Sequence, residues 1–193
     1  MHWIYFDVET ERAASEVGGW SNIEALGMAV TVTLSSREDE CRAFLAPQAR
    51  AMGELLRGAD ALVGFNSRRF DVRVLQPYLD FDLAALPHLD LMLDLRDALG
   101  FRPSLESCVG PTLGEGKSAS GLESVQWWKE GKRDEVIAYC ARDVLLTRRL
   151  HEFGARHGHI KMRDRKGQVR SVEIAWSLDA LRLKPAQPTL FDL

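Results

Sequence analysis

The sequence predicts an α/β fold with a mixed β-sheet flanked by helices, and three observations carry that expectation. Three strand-length apolar runs come first, with no helical pattern between them; from residue 48 onward helical and strand patterns alternate. At 193 residues the chain fits one domain with a small addition, long enough to bury a substantial core.

The elements follow in order. Met1 to Val8 is apolar and aromatic, giving a strand over 2–8; further strands are expected at about 26–34 and 41–46, and a helix at 48–57. Asp60 to Asn66 reads as a short buried strand, 61–65, breaking into a polar turn, after which Asp71 opens a helix over 71–79. A strand near 89–93 precedes helices at 94–99, 104–113, 121–130 and 132–153. Alternation on either side of Arg165-Lys166-Gly167 marks a hairpin between His159–Asp164 and Gln168–Trp176. Pro185 and Pro188 make the end of the chain an extended tail. The expected organisation is a main domain over 1–155, a basic β-hairpin appendage over 156–182 and an extended tail over 183–193.

Composition narrows the class. No apolar stretch approaches the roughly 20 residues needed to span a bilayer, and Asp7 and Glu9 lie too near the start for a signal peptide, so a cytoplasmic location is expected. Cys41, Cys108 and Cys140 are odd in number and lie in no Cys-x-x-Cys spacing, which argues against a disulfide scaffold or a zinc site. The net charge of −3 gives no global attraction to nucleic acid, so any such binding must be local.

The chemistry concentrates in three acidic settings. Asp7 and Glu9, two apart on the first strand, project to one face; side by side in a low dielectric they repel unless a proton or a cation lies between them. A hard divalent ion, Mg²⁺ or Mn²⁺, suits such oxygen ligands, although an isolated Asp-x-Glu is more often a solvated strand end. Asp71 follows Asn66-Ser67-Arg68-Arg69-Phe70 and alone would serve as a helix-capping acid. Tyr139 and Asp143 lie four apart on one face of the last long helix, a pairing that packing alone can produce.

All three settings in this order resemble the DEDD, or DnaQ-like, family of 3′→5′ exonucleases within the ribonuclease-H-like fold, whose motifs carry Asp-x-Glu, Asn-x-x-x-Phe-Asp and Tyr-x-x-x-Asp. The resemblance covers about residues 1–153. Ala138 stands where one subgroup has His and Tyr139 where the other has Tyr, so the chain is similar to the tyrosine subgroup; Phe65 stands where relatives often carry His. The resemblance implies that Asp7, Glu9 and Asp143 hold one divalent cation, that Asp7 bridges to a second, and that Asp71 supports the second, partly through water. Two metals roughly 3.5–4 Å apart would then activate water, stabilise the pentacoordinate phosphorus and neutralise the leaving 3′-oxygen. Tyr139, with a usual pKa near 10, aims the water rather than deprotonating it. The implied substrate is a nucleic acid with a free 3′ end, single-stranded DNA foremost and RNA as the alternative. A non-catalytic clamp- or nucleic-acid-binding module is the rival reading.

Substrate contacts are expected from Asn66, from Lys117 in the Gly-rich segment 110–121, and from Lys161, Arg163 and Lys166 on the basic hairpin, each weighed against an ordinary connection or a charge-protected strand edge. The Gly114–Ser118 loop is no Walker A motif, because Pro111 occupies the required Gly position. Trp127 and Trp128 read as packing residues ahead of base-stacking platforms, and Asp90, Asp94 and Asp97 as capping or solvated acids. Gln187-Pro188-Thr189-Leu190-Phe191 is similar to the Gln-x-x-Leu-Phe peptides that bind the bacterial sliding clamp, with Gln187, Leu190 and Phe191 as contacts; the alternative is a tail docked on its own domain.

Overall fold

A computed structural model of the chain describes residues 2–116 and 121–176, so the expectations for Lys117 and for Gln187, Leu190 and Phe191 lie outside the described residues. The main elements are β1 (Trp3–Thr10), β2 (Met28–Ser35), β3 (Arg42–Phe44), α1 (Ala49–Arg57), β4 (Ala61–Gly64), α2 (Asp71–Leu75), β5 (His88–Asp90), α3 (Leu91–Leu99), α4 (Leu105–Leu113), α5 (Gly121–Lys129), α6 (Arg133–His157), β6 (His159–Arg163) and β7 (Val169–Glu173). Five strands form one sheet in the order β3-β2-β1-β4-β5, and β6 and β7 form a second, two-stranded sheet. β1 is antiparallel to β2 and parallel to β4, and β4 is parallel to β5. The parallel pairings follow crossovers through α1 and α2, whereas β2 and β3 pair antiparallel. This is the ribonuclease-H-like α/β architecture.

Being central, β1 is buried on both faces and its alternation sorts the core in two. Ile4, Phe6 and Val8 pack with Met52, Leu56, Leu62 and Leu75 on one side. Trp3 and Tyr5 pack on the other side with Val136, Cys140, Val144 and Leu150 of α6. Asp7 and Glu9 share the parity of Trp3 and Tyr5, which turns them toward α6. The buried positions of α6, including Val136, Tyr139, Cys140, Asp143, Val144 and Thr147, recur at three- and four-residue steps, one stripe along the sheet.

Three boundaries differ from the sequence expectation for local reasons. The helix expected over 71–79 is α-helical only to Leu75 and tightens to a 3₁₀ turn over 76–78, where Pro77 removes the amide that would continue it. The strand expected at 89–93 is His88–Asp90, and α3 starts at Leu91 because the Asp90 side chain accepts the Met92 and Leu93 amides. The last long helix runs on to His157 and ends at Gly158, whose φ of 71° is left-handed.

The hairpin is pinned to the larger body. Thr112 Oγ1 donates to the Lys161 carbonyl at 2.7 Å and accepts the Lys161 amide at 2.9 Å. Ile160, Met162, Val172 and Trp176 are buried in the same cluster as α6. A side chain at Gly154 would collide with Ile174 and Trp176, so glycine lets the chain after β7 lie directly on α6. Cys108 and Cys140 are buried and Cys41 half-buried, all as free thiols. Among the described residues no helix is long and apolar enough to cross a membrane.

Candidate functional site

The site forms where the C-terminal ends of β1 and β4 meet α6. Asp7 and Glu9 lie near the end of β1, just before the register with β2 shifts between Glu9 and Thr10. β4 stops at Gly64, where a Cβ would collide with the Ser67 side chain, so only glycine lets the following turn fold back this tightly. Asn66 takes a left-handed φ of 64°, a conformation asparagine tolerates better than most residues. The turn then delivers Asp71 to the start of α2, where it is 2 % exposed.

Asp90 fixes that turn from beneath. Its Oδ1 accepts the amides of Asn66 at 2.9 Å, Met92 at 3.1 Å and Leu93 at 3.3 Å, and its Oδ2 accepts the Arg68 amide at 3.0 Å. The acid read as a local cap is therefore also the clamp on the loop that carries Asp71. Beside it, Ser67 Oγ and His88 Nε2 are hydrogen-bonded at 2.8 Å in the buried interior.

α6 contributes Tyr139 and Asp143, both buried. The Trp127 ring of α5 meets Tyr139 edge-on, with centroids 6.1 Å apart, and Trp128 lies against the Arg133 guanidinium at 3.3 Å, so both tryptophans act in packing as expected. Between Tyr139 and Asp143, Cys140 Sγ donates to the Asp7 carboxylate at 3.4 Å and to the Asp7 carbonyl at 3.3 Å.

Asp7, Glu9, Asp71, Tyr139 and Asp143 all line one cleft of about 800 Å³, and Asn66 lines it with them. Burial, then Asp7, then the charges of Asp90 and Glu9, hold the Asp71 carboxyl well above the usual carboxylate range. Burial and the charges of Asp7 and Glu9 push the Cys140 thiol well up, which keeps it a hydrogen-bond donor. The donor set fits a hard divalent cation. Asp71 Oδ1 is buried without a hydrogen-bond partner, and the ligand atoms of Asp7 and Glu9 lie, with Cys140 Sγ, within 4.8 Å of one another.

The remaining expected contacts separate from this group. Lys161, Arg163 and Lys166 are exposed on the hairpin, outside the cleft; Arg163 lines a second groove together with Arg165. Conversely, the cleft contains Arg12, Arg69 and Arg102 and the 64 %-exposed Trp20, none of which the sequence singled out. Arg69 lies inside the Asn66–Asp71 segment, and its place in that motif is a signal that could have found it. Trp20 and Arg102 come from connections whose placement no local pattern encodes.

Solved structures share the fold. The family B DNA polymerase of the archaeon Pyrobaculum calidifontis superposes with a TM-score of 0.59 at 16% identity, over 80% of this chain and 24% of that one. Exonuclease I of E. coli in complex with a dA16 oligonucleotide gives 0.50 at 16% identity, over 80% and 41%. An apo structure of Exonuclease I gives 0.51 at 15% identity, over 80% and 42%. The chain thus spans between a quarter and two-fifths of the length of these proteins. No curated protein matches it in sequence. The model of the RNase_H superfamily matches residues 4–153, which include Asp7, Glu9, Asp71, Tyr139 and Asp143, and the chain belongs to that superfamily.

Proposed function

We propose that the chain is a metal-dependent 3′→5′ exonuclease of the tyrosine subgroup of the DEDD family, hydrolysing phosphodiester bonds from the 3′ end of single-stranded DNA. The observation that carries this reading is the convergence on one cleft of four carboxylates and a tyrosine drawn from β1, α2 and α6. Asp7, Glu9, Asp71 and Asp143 would hold two Mg²⁺ or Mn²⁺ ions. When bound, such ions lower the pKa of water and neutralise charge on the departing oxygen.

The chain's own residues supply the rest. The Tyr139 hydroxyl, held by its buried ring and the edge of Trp127, orients the attacking water along the line of displacement. Arg12 and Arg69 offset the acidic cluster with cations that meet substrate phosphates, and Asn66 offers a neutral amide at the same wall. Trp20, whose ring meets Phe70 edge-on at 6.2 Å, presents an apolar face for a terminal base. The likeness to Exonuclease I, solved in complex with a dA16 oligonucleotide, supports a single strand as substrate.

The same proposal includes recruitment by a bacterial sliding clamp through Gln187, Leu190 and Phe191, in a three-part chain of nuclease domain (1–155), basic hairpin (156–182) and tail (183–193). Burying the Leu and Phe side chains supplies roughly 1.5–3 kcal/mol each, enough for transient binding. A Gln187–Leu193 peptide is expected to bind the clamp in calorimetry, and truncation after Lys184 to abolish that binding.

The deciding assay incubates 3′-labelled single-stranded DNA, duplex DNA and RNA with Mg²⁺, Mn²⁺ or chelator. Mononucleotide release from single-stranded DNA in metal only is the expected result; preferential release from RNA changes the substrate. Rapid nicking of closed circular single strands would make the protein an endonuclease, and no hydrolysis under any condition would leave a binding module.

A further inference from the structure

A second groove of about 570 Å³ runs between the α3–α4 connection and the tip of the hairpin, and it shares Arg102, Pro103 and Ser104 with the catalytic cleft. The two therefore adjoin along this connection. Arg163 and Arg165 of the hairpin line the second groove, as does Phe101, a large apolar side chain 36 % exposed.

Charge along the second groove favours a polyanion. Three acids also line the groove, but Glu115 is ion-paired with Arg149 and Asp164 lies 2.8 Å from Arg170, both arginines standing outside the lining. Asp164 is further engaged by the backbone amides of Lys166 and Gln168, and those contacts, with Arg170, hold its carboxyl below the usual range. Glu106 alone remains to offset Arg102, Arg163 and Arg165, and neither Arg102 nor Arg165 has an acidic partner among the described residues. The walls are fixed relative to each other, because Thr112 bolts β6 to α4 through both the amide and the carbonyl of Lys161.

Resting on the exonuclease reading for which end enters the cleft, we propose that this groove carries the single strand upstream of the scissile bond. Arg102 meets a phosphate at the junction, Arg163 and Arg165 meet phosphates beyond it, and Phe101 stacks a base. In this proposal Arg163 keeps the substrate contact expected of it from the sequence, and Arg165 and Arg102 join it.

The test is equilibrium binding of fluorescent deoxythymidine strands, a trimer and a dodecamer, to the full chain in EDTA, so that affinity is read without turnover. Every single-strand phosphate that no longer meets an arginine lowers the slope of log K against log [salt] by about 0.7. Arg102→Ala/Arg163→Ala/Arg165→Ala is expected to lower the dodecamer slope by about 2, and Phe101→Ala to weaken the dodecamer about tenfold with little change of slope. Arg165→Glu should weaken the dodecamer more than Arg165→Ala. A dodecamer slope and affinity equal to wild type in the triple variant would overturn the proposal, as would an Arg163→Ala/Arg165→Ala variant that loses trimer and dodecamer affinity equally. Release of 3′-label with Mn²⁺, scored separately on the wild type, decides the exonuclease reading whichever way the binding falls.

Discussion

The Asp90 carboxylate accepts the backbone amide of Asn66 at 2.9 Å, so the residue that caps α3 also sets the turn that presents Asp71. Four amides, those of Asn66, Arg68, Met92 and Leu93, depend on this one buried side chain. Removing a partner from a buried donor costs about 1–3 kcal/mol. Asp90→Ala is therefore expected to lose at least about 3 kcal/mol in urea unfolding. Asp90→Asn keeps the shape and an acceptor oxygen, and should lose less stability but still lower activity by letting Asp71 shift. An Asp90→Ala protein as stable as wild type would show that the turn holds without the clamp.

Asp71 makes the opposite prediction. Its folded-state pKa is raised by burial and by Asp7, so the metal-free fold is penalised once pH exceeds the ordinary carboxylate range. Asp71→Asn should then raise the melting temperature in chelator at pH 7, by about 2–4 °C for each kcal/mol of relieved repulsion. The same variant should gain less than wild type from added Mn²⁺ and lose most nuclease activity. Asp7→Ala and Asp143→Ala should likewise abolish activity without unfolding the chain. A lower melting temperature for Asp71→Asn in chelator would contradict the repulsive cluster.

Tyr139→Phe isolates one hydroxyl. The ring keeps its buried place against Trp127, so fold and cation binding should persist while turnover falls about 10²-fold or more. Trp127→Ala should lower turnover more mildly, by loosening the ring. Wild-type turnover in Tyr139→Phe would refute the water-aiming role.

Continuous apolar runs and helical patterning carried most of the fold: β1, β2 and β4 lie where strand-length apolar runs put them because they are buried on both faces, and α1 and α6 where helical spacing put them because each buries one stripe. Asp7, Glu9, Asp71, Tyr139 and Asp143 could be gathered from one dimension because their local settings repeat a known order. Asp90 was legible only in part, since a cap can be read from its three-residue neighbourhood but a bond to Asn66, 24 positions away, cannot. The Cys140 contact to Asp7 is hidden for the same reason, being 133 positions apart. Trp20 and Arg102 sit in connections without periodicity, and their approach to the cleft depends on how α3, α4 and the 3₁₀ turns pack.

His88 gives the fold a predicted acid limit. Its ring, buried between Phe6 and Ser67, has its pKa pushed down to about 3, by burial first and the Arg68 charge second. The ordinary value is 6.5, so between about 6.5 and 3 the unfolded chain binds a proton that the folded chain does not. Stability from the neutral ring is complete above about pH 6.5 and is lost as pH falls toward 3, at up to 1.36 kcal/mol per unit and roughly 5 kcal/mol in all. Asp71 and Asp90, whose carboxyls burial raises, have the reverse sign and oppose this loss, and protonation of Asp71 also relieves the acidic cluster. The measurement therefore belongs in the Asp71→Asn background, in chelator, with urea unfolding at steps from pH 7.5 to 4.5. There Asp90 is common to both proteins, and stability should fall more steeply with decreasing pH than it does when His88→Gln is added. Buried His151, whose pKa is also lowered, leaves a smaller residue of the same sign. A slope unchanged by His88→Gln would show that another group sets the acid limit.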